Sequence, residues 1–167
     1  VCGGTKGTGN WIGPVSFTTA CGIIEGFREN FDSDTTIPNC WSTILRADST
    51  LGSVMEGTIN VGVPINYHSN TLVMKNLGSN NNYNMILVTP GTDKLPLGTY
   101  RLRFYASSEG YPNQILEIGT LSTNTNDAEF HPLPQKIIAT ELSPKQYIID
   151  FSAYITTDKY IGFRMSS

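Results

Sequence analysis

Arg101, Arg103 and Tyr105 fall two residues apart within Thr99 to Ala106, a run that alternates apolar and polar residues. Successive side chains of an extended strand point to opposite sides. The spacing therefore predicts two guanidinium groups and one phenol ring on the same sheet face. A guanidinium forks two hydrogen bonds to a carboxylate or sulfate, and a tyrosine offers a flat ring on which a sugar can stack. Tyr100, Leu102, Phe104 and Ala106 take the opposite side and are expected in the core. Lys75, Tyr83 and Arg164 are candidates for the same sheet or its rim. The alternative for these arginines is structural: a solvated outer face on which they pair with Asp150 or Glu117 of neighbouring strands.

Other residue types point away from catalysis. The two histidines, His68 and His131, are far apart and sit in loop-like contexts. His68 has no cysteine or second histidine beside it, so zinc ligation is not expected there. The chain holds neither a Gly-x-Ser-x-Gly elbow nor a phosphate-cradling glycine loop followed by lysine, and Cys40 has no base to activate it. Asp32, Asp34, Asp48, Asp93, Asp127 and Asp158 stand beside turn-forming residues, which reads as solvated turn chemistry rather than a hydrolytic carboxylate pair.

The elements that must position these groups follow from composition and periodicity. The 167 residues suit one packed domain, with room for a fragment of a second. Charged residues are only 15%, while Gly, Ser, Thr and Asn are plentiful, which favours an all-β chain with many turns. A net charge of −3 without any basic run argues against nucleic-acid binding. No apolar stretch is long enough to span a bilayer as a helix, so membrane insertion is not expected.

Extended runs are predicted at Trp41 to Arg46, His68 to Lys75, Met85 to Val88, Thr99 to Ala106, Ile115 to Leu121, Gln135 to Thr140, Gln146 to Phe151 and Tyr160 to Met165. A further extended segment is expected from Ile23 into Phe31, and short strand pieces within Gly52 to Val63. No window keeps a helical apolar stripe. About ten short strands with turns between them predict a two-sheet antiparallel β-sandwich of jelly-roll type.

Four stretches carry a family resemblance: Glu29-Asn30-Phe31-Asp32, Pro38-Asn39-Cys40-Trp41, Tyr100-Arg101-Leu102-Arg103-Phe104 and Tyr160-Ile161-Gly162-Phe163-Arg164. Together they resemble the MAM-like β-sandwich modules of secreted, multidomain Bacteroidetes-type proteins, over residues 25 to 167. The resemblance implies a secreted or cell-surface setting and a module for substrate targeting, adhesion or spacing. We expect a non-catalytic carbohydrate-binding module that holds attached domains on a polysaccharide; Arg101 and Arg103 tilt that ligand toward an anionic one. The alternative is an adhesion or spacer domain without specific sugar binding. In such modules the position of Arg103 usually carries a small polar residue, so that arginine belongs to this chain rather than to the pattern.

Jelly-roll modules of this kind also hold a structural Ca2+, which places Glu29, Asn30, Asp32 and Asn70 as candidate ligands. Glu29 pairing with an arginine and Asp32 capping a turn is the competing reading. Residues 1 to 21 read differently from the rest. Trp11-Ile12-Gly13-Pro14 and the strand after it resemble the last hairpin of a fibronectin type III domain, so this stretch is expected to be the tail of a preceding domain, with 22 to 167 as the binding module. An integral edge hairpin of the sandwich is the alternative. Three cysteines allow one intrachain disulfide. Cys21 with Cys40 would pin the entry segment to the Pro-Asn-Cys-Trp turn; Cys2 with Cys21 is the other candidate and fits a short hairpin poorly.

Overall fold

A computed structural model describes residues 21–33, 35–46, 57–64, 69–76, 84–108, 114–139, 142–154 and 156–166. The proposed tail hairpin, Cys2 and Tyr83 lie outside these residues. The described chain is all-β, with nine strands and a single 3-10 turn at Leu95–Leu97. In order the strands are β1 (Ser42–Arg46), β2 (Gly57–Gly62), β3 (Thr71–Asn76), β4 (Asn84–Val88), β5 (Arg101–Ala106), β6 (Gln114–Leu121), β7 (His131–Ala139), β8 (Lys145–Asp150) and β9 (Tyr160–Ser166). Every pairing is antiparallel.

One layer is a five-stranded sheet in the order β1-β4-β9-β6-β7; the pairs β2-β3 and β5-β8 form two smaller sheets. Ile118 and Ile161 of the large sheet pack with Leu102 of β5 and Ile149 of β8 in one buried cluster. That contact makes the sandwich. β2-β3 lies against the same sheet at Met85, whose sulfur occupies the space a Cβ at Gly57 would need.

The large sheet is buried on its outer side too. Ile44, Ile86, Val88 and Leu121 pack beneath Ala128 and Phe130 of the segment that joins β6 to β7. Burial on both faces explains why Met85 to Val88 is continuously apolar rather than alternating. Arg46 fastens this cover, its guanidinium donating to the carbonyls of Asn126 and Ala128. The Phe130 ring lies so close to the strands that a Cβ at Gly119 would meet its Cζ at 2.5 Å, and one at Gly162 its Cε2 at 2.9 Å. Glycine at both positions is what lets an aromatic ring come this close to the strands.

Two sequence expectations shift. β7 starts at His131, four residues before the predicted Gln135, so His131 belongs to a strand and not to a loop. Pro132 and Pro134 hid that start, and β7 accepts them because among the described strands it lies at the edge of the sheet, paired with β6 alone. The extended segment expected from Ile23 into Phe31 is not a strand. Phe31 takes a left-handed backbone, φ 62°, and its N–H donates to Glu29 Oε1 at 2.6 Å, which curls the chain. A disulfide joins Cys21 to Cys40 across a Cα separation of 5.2 Å. Trp41 sits between Phe27 and Phe31, with ring centroids at 5.4 and 5.5 Å.

Candidate functional site

The β5-β8 pair presents one face to the core and one to solvent, as the alternation in Thr99 to Ala106 predicts. Its register sets Arg101 against Asp150, Arg103 against Ile148 and Tyr105 against Gln146. Paired residues in antiparallel strands share a face. The outer face is therefore a strip of three cross-strand pairs.

Each pair behaves differently. Arg101 Nη2 donates to Asp150 Oδ2 at 3.1 Å. Asp150 also accepts from the backbone N–H of Ser152 at 2.9 Å. The side-chain and backbone bonds from Ser152, followed by the bond from Arg101, hold its carboxyl down at about 2. At the other end Gln146 Nε2 donates to the Tyr105 hydroxyl at 2.8 Å, which fixes the ring while leaving Tyr105 65% exposed. Between them Arg103 faces Ile148, itself 50% exposed, and has no ion pair among the described residues. An unpaired guanidinium beside an oriented tyrosine ring is suited to one anionic group next to one stacked ring.

The other nominated residues do not all join this strip. Lys75 is exposed on β3, in the β2-β3 sheet. Arg164 is corrected outright: it lies on β9 in the large sheet, with its side chain only 21% exposed. Its Nε donates to Glu117 Oε2 at 2.8 Å and its guanidinium sits 4.2 Å from the centroid of the Phe130 ring. Lys136 Nζ approaches the other oxygen of Glu117 at 3.1 Å. Burial pushes the Glu117 carboxyl up, yet the hydrogen bonds and charges of Arg164 and Lys136 outweigh it and hold the group below its usual range. This is the structural pairing that the sequence left open.

The acidic segment is bound up locally. Besides the Glu29 bond to Phe31, Asp32 Oδ2 accepts from Asn30 Nδ2 at 2.9 Å and the Asp32 N–H donates to Asn30 Oδ1 at 3.3 Å. Asn70 immediately precedes β3. Calcium takes six to eight oxygens, and here these bonds of Glu29, Asn30 and Asp32 stay within their own segment. Among the described residues no group of three His, Cys, Asp or Glu side chains is set to hold a metal ion. Among the same residues no helix is long and apolar enough to cross a membrane.

The fold is similar to that of the K1 cleaved adhesin domain of Lys-gingipain from Porphyromonas gingivalis, known from a crystal structure. The likeness has a TM-score of 0.50 at 23% identity and covers 83% of this chain and 86% of the other. No protein-family model and no curated protein matches the chain. At that identity the likeness is one of architecture: an antiparallel β-sandwich shared with a domain of a bacterial protein.

Proposed function

We propose that this chain is a non-catalytic binding module of a secreted or cell-surface bacterial protein, and that the outer face of β5-β8 holds a polysaccharide bearing carboxylate or sulfate groups. The observation that carries the reading is Arg103, exposed and without an ion pair among the described residues, beside a Tyr105 ring steadied by Gln146. A sugar ring stacks on Tyr105, an anionic substituent of its neighbour takes the Arg103 fork, and Gln146 lines the same strip. Arg101 contributes less, since Asp150 already neutralises it. The face works by contact alone, so the module would anchor whatever domains accompany it in the parent protein. The gingipain domain of like fold is described as an adhesin, which supports a binding role in that setting.

A second reading is adhesion to a protein surface. Ile148, half exposed in the middle of the strip, favours it, because an apolar centre with a polar rim is the anatomy of a protein contact. Affinity electrophoresis through gels containing neutral or anionic polysaccharides tests the choice, with Arg103→Ala run alongside. Retardation confined to the anionic gels and lost in the variant is the expected result. Migration unchanged in every gel would overturn sugar binding and move the assignment to the protein contact.

A further inference from the structure

At the far end of the large sheet a histidine is held in the manner of a metal ligand. Asp158, 3% exposed, lies just before β9. Its Oδ2 accepts from Thr120 Oγ1 at 2.7 Å and lies 2.7 Å from His131 Nδ1. Its own backbone N–H donates to Thr156 Oγ1 at 3.0 Å. A carboxylate only accepts hydrogen bonds, so Nδ1 carries the hydrogen and Nε2 is the nitrogen left to bind something else. Nε2 lies 3.7 Å from Glu129 Oε2, on a side chain 83% exposed. The His131 side chain is half exposed and also lines a shallow depression with Thr120, Pro132, Leu133, Ala153, Tyr154 and Thr156.

We propose that His131 Nε2 and Glu129 together bind a divalent transition-metal ion of the zinc type, with Asp158 as the positioning carboxylate behind the imidazole. Three features support this. A tetrahedral ion about 2.0–2.1 Å from nitrogen and oxygen ligands sets those ligands about 3.3 Å apart, so a small rotation of the exposed Glu129 side chain closes the gap. A metal-bound imidazole nearly always donates its other ring N–H to a carboxylate or carbonyl, which fixes the tautomer and raises ligand basicity; the buried Asp158, held in turn by Thr120, supplies this. Finally, two carboxylates flank a ring that is neutral when it ligates, so the local charge favours a cation. With two direct ligands the ion keeps open positions toward solvent. An imidazole ligand selects zinc, nickel or copper over magnesium and calcium.

The test is calorimetric titration of the 167-residue chain with Zn2+, with Mg2+ and Ca2+ titrated in parallel. The measurements are repeated on a Cys2→Ser background, so that a thiol outside the described residues adds nothing. The expected result is one Zn2+ per chain in both backgrounds, with no comparable heat from Mg2+ or Ca2+. Affinity should be lost in His131→Ala, fall about tenfold in Glu129→Gln, and fall about 10- to 100-fold in Asp158→Asn. Glu129→Gln is the variant safest for the fold, being exposed; far-UV circular dichroism checks all three. His68→Ala should bind as the parent does. Absence of Zn2+ binding below millimolar, or binding retained in His131→Ala or lost in His68→Ala, would overturn the site and leave His131 and Glu129 as a surface ion pair.

Discussion

Arg103 and Arg164 look alike on paper, each an arginine in the middle of an alternating strand, and they have opposite fates. On β5 the outer face is exposed at Arg103, which lies against Ile148 and has no ion pair among the described residues. On β9 the outer face is roofed by the β6-β7 connection, and Arg164 spends its charge on the buried Glu117 and its flat surface on Phe130. One transverse row of the large sheet makes the point. Ile44, Ile86, Arg164, Glu117 and Lys136 face one another from β1 to β7, so apolar burial passes into an ion triad within a single line of neighbours. What decides whether such an arginine stays exposed or is built into the scaffold is therefore not the strand but whether a distant loop folds over it.

The contrast breaks most visibly at Arg164. Replacing it with alanine strands Glu117 in a poorly solvated site with only the exposed Lys136 as partner, and should cost about 3 kcal/mol in urea unfolding. Polysaccharide retardation, measured below the unfolding transition, should be unchanged. Gly162→Ala attacks the roof instead. Its Cβ would meet Leu121 Cδ1 at 2.7 Å and Phe130 Cε2 at 2.9 Å, and overpacking of this kind costs about 1–3 kcal/mol; the same unfolding curve reports it.

Acid should separate the two faces as well. Glu117 and Asp150 both have folded-state values below their unfolded ones. Each therefore contributes stability that is present above the unfolded carboxyl range and lost as pH falls through the folded value. Most of the acid loss should trace to Glu117, since Asp150 is solvated. Glu117→Gln should accordingly flatten the unfolding midpoint against pH between about 5 and 3, whereas Asp150→Asn should leave the curve nearly parallel to that of the parent. The smallest stability effect belongs to Arg103→Ala, within about 0.5 kcal/mol, even though this is the variant expected to abolish retardation. A stability loss comparable to that of Arg164→Ala would show that Arg103 is scaffold too.

The strip itself could be read from residue order. Alternation in Thr99 to Ala106 is a local property, and it assigned Leu102 to the core and Arg103 to solvent without knowledge of any partner strand. Arg164 was expected on the same sheet as that strip or at its rim, and alternation within Tyr160 to Met165 could neither place it in the other sheet nor show its side to be covered. The cover comes from Ala128 and Phe130, more than thirty residues earlier in the chain, and only the glycines at 119 and 162 hint at an aromatic ring lying there. β7 was misplaced for a different reason: proline signals a loop unless the strand is known to be an edge, which is a property of the whole sheet. The sequence also left the role of His131 unread, because its partner Asp158 stands 27 residues further on and is brought beside it only by the pairing of β6 with both β7 and β9.

The disulfide has a consequence for survival rather than for shape. Residues 21–33 and 35–40 lie outside the strands; they are held by a backbone bond from Ile24 N–H to the Gly91 carbonyl at 2.9 Å, by Phe27 packed against the core, by the Trp41 ring cluster and by one covalent link that closes a 19-residue separation. Loop closure of that size limits the unlinked ensemble by about 3 kcal/mol. Reduction should therefore act as a local key. A protease given the reduced module should cut first between Gly22 and Asn39 and leave a core that still melts as a sandwich, whereas the oxidised form should resist until the whole domain opens. Wherever proteases reach the module, the redox state of one cysteine pair would set the length of its working life.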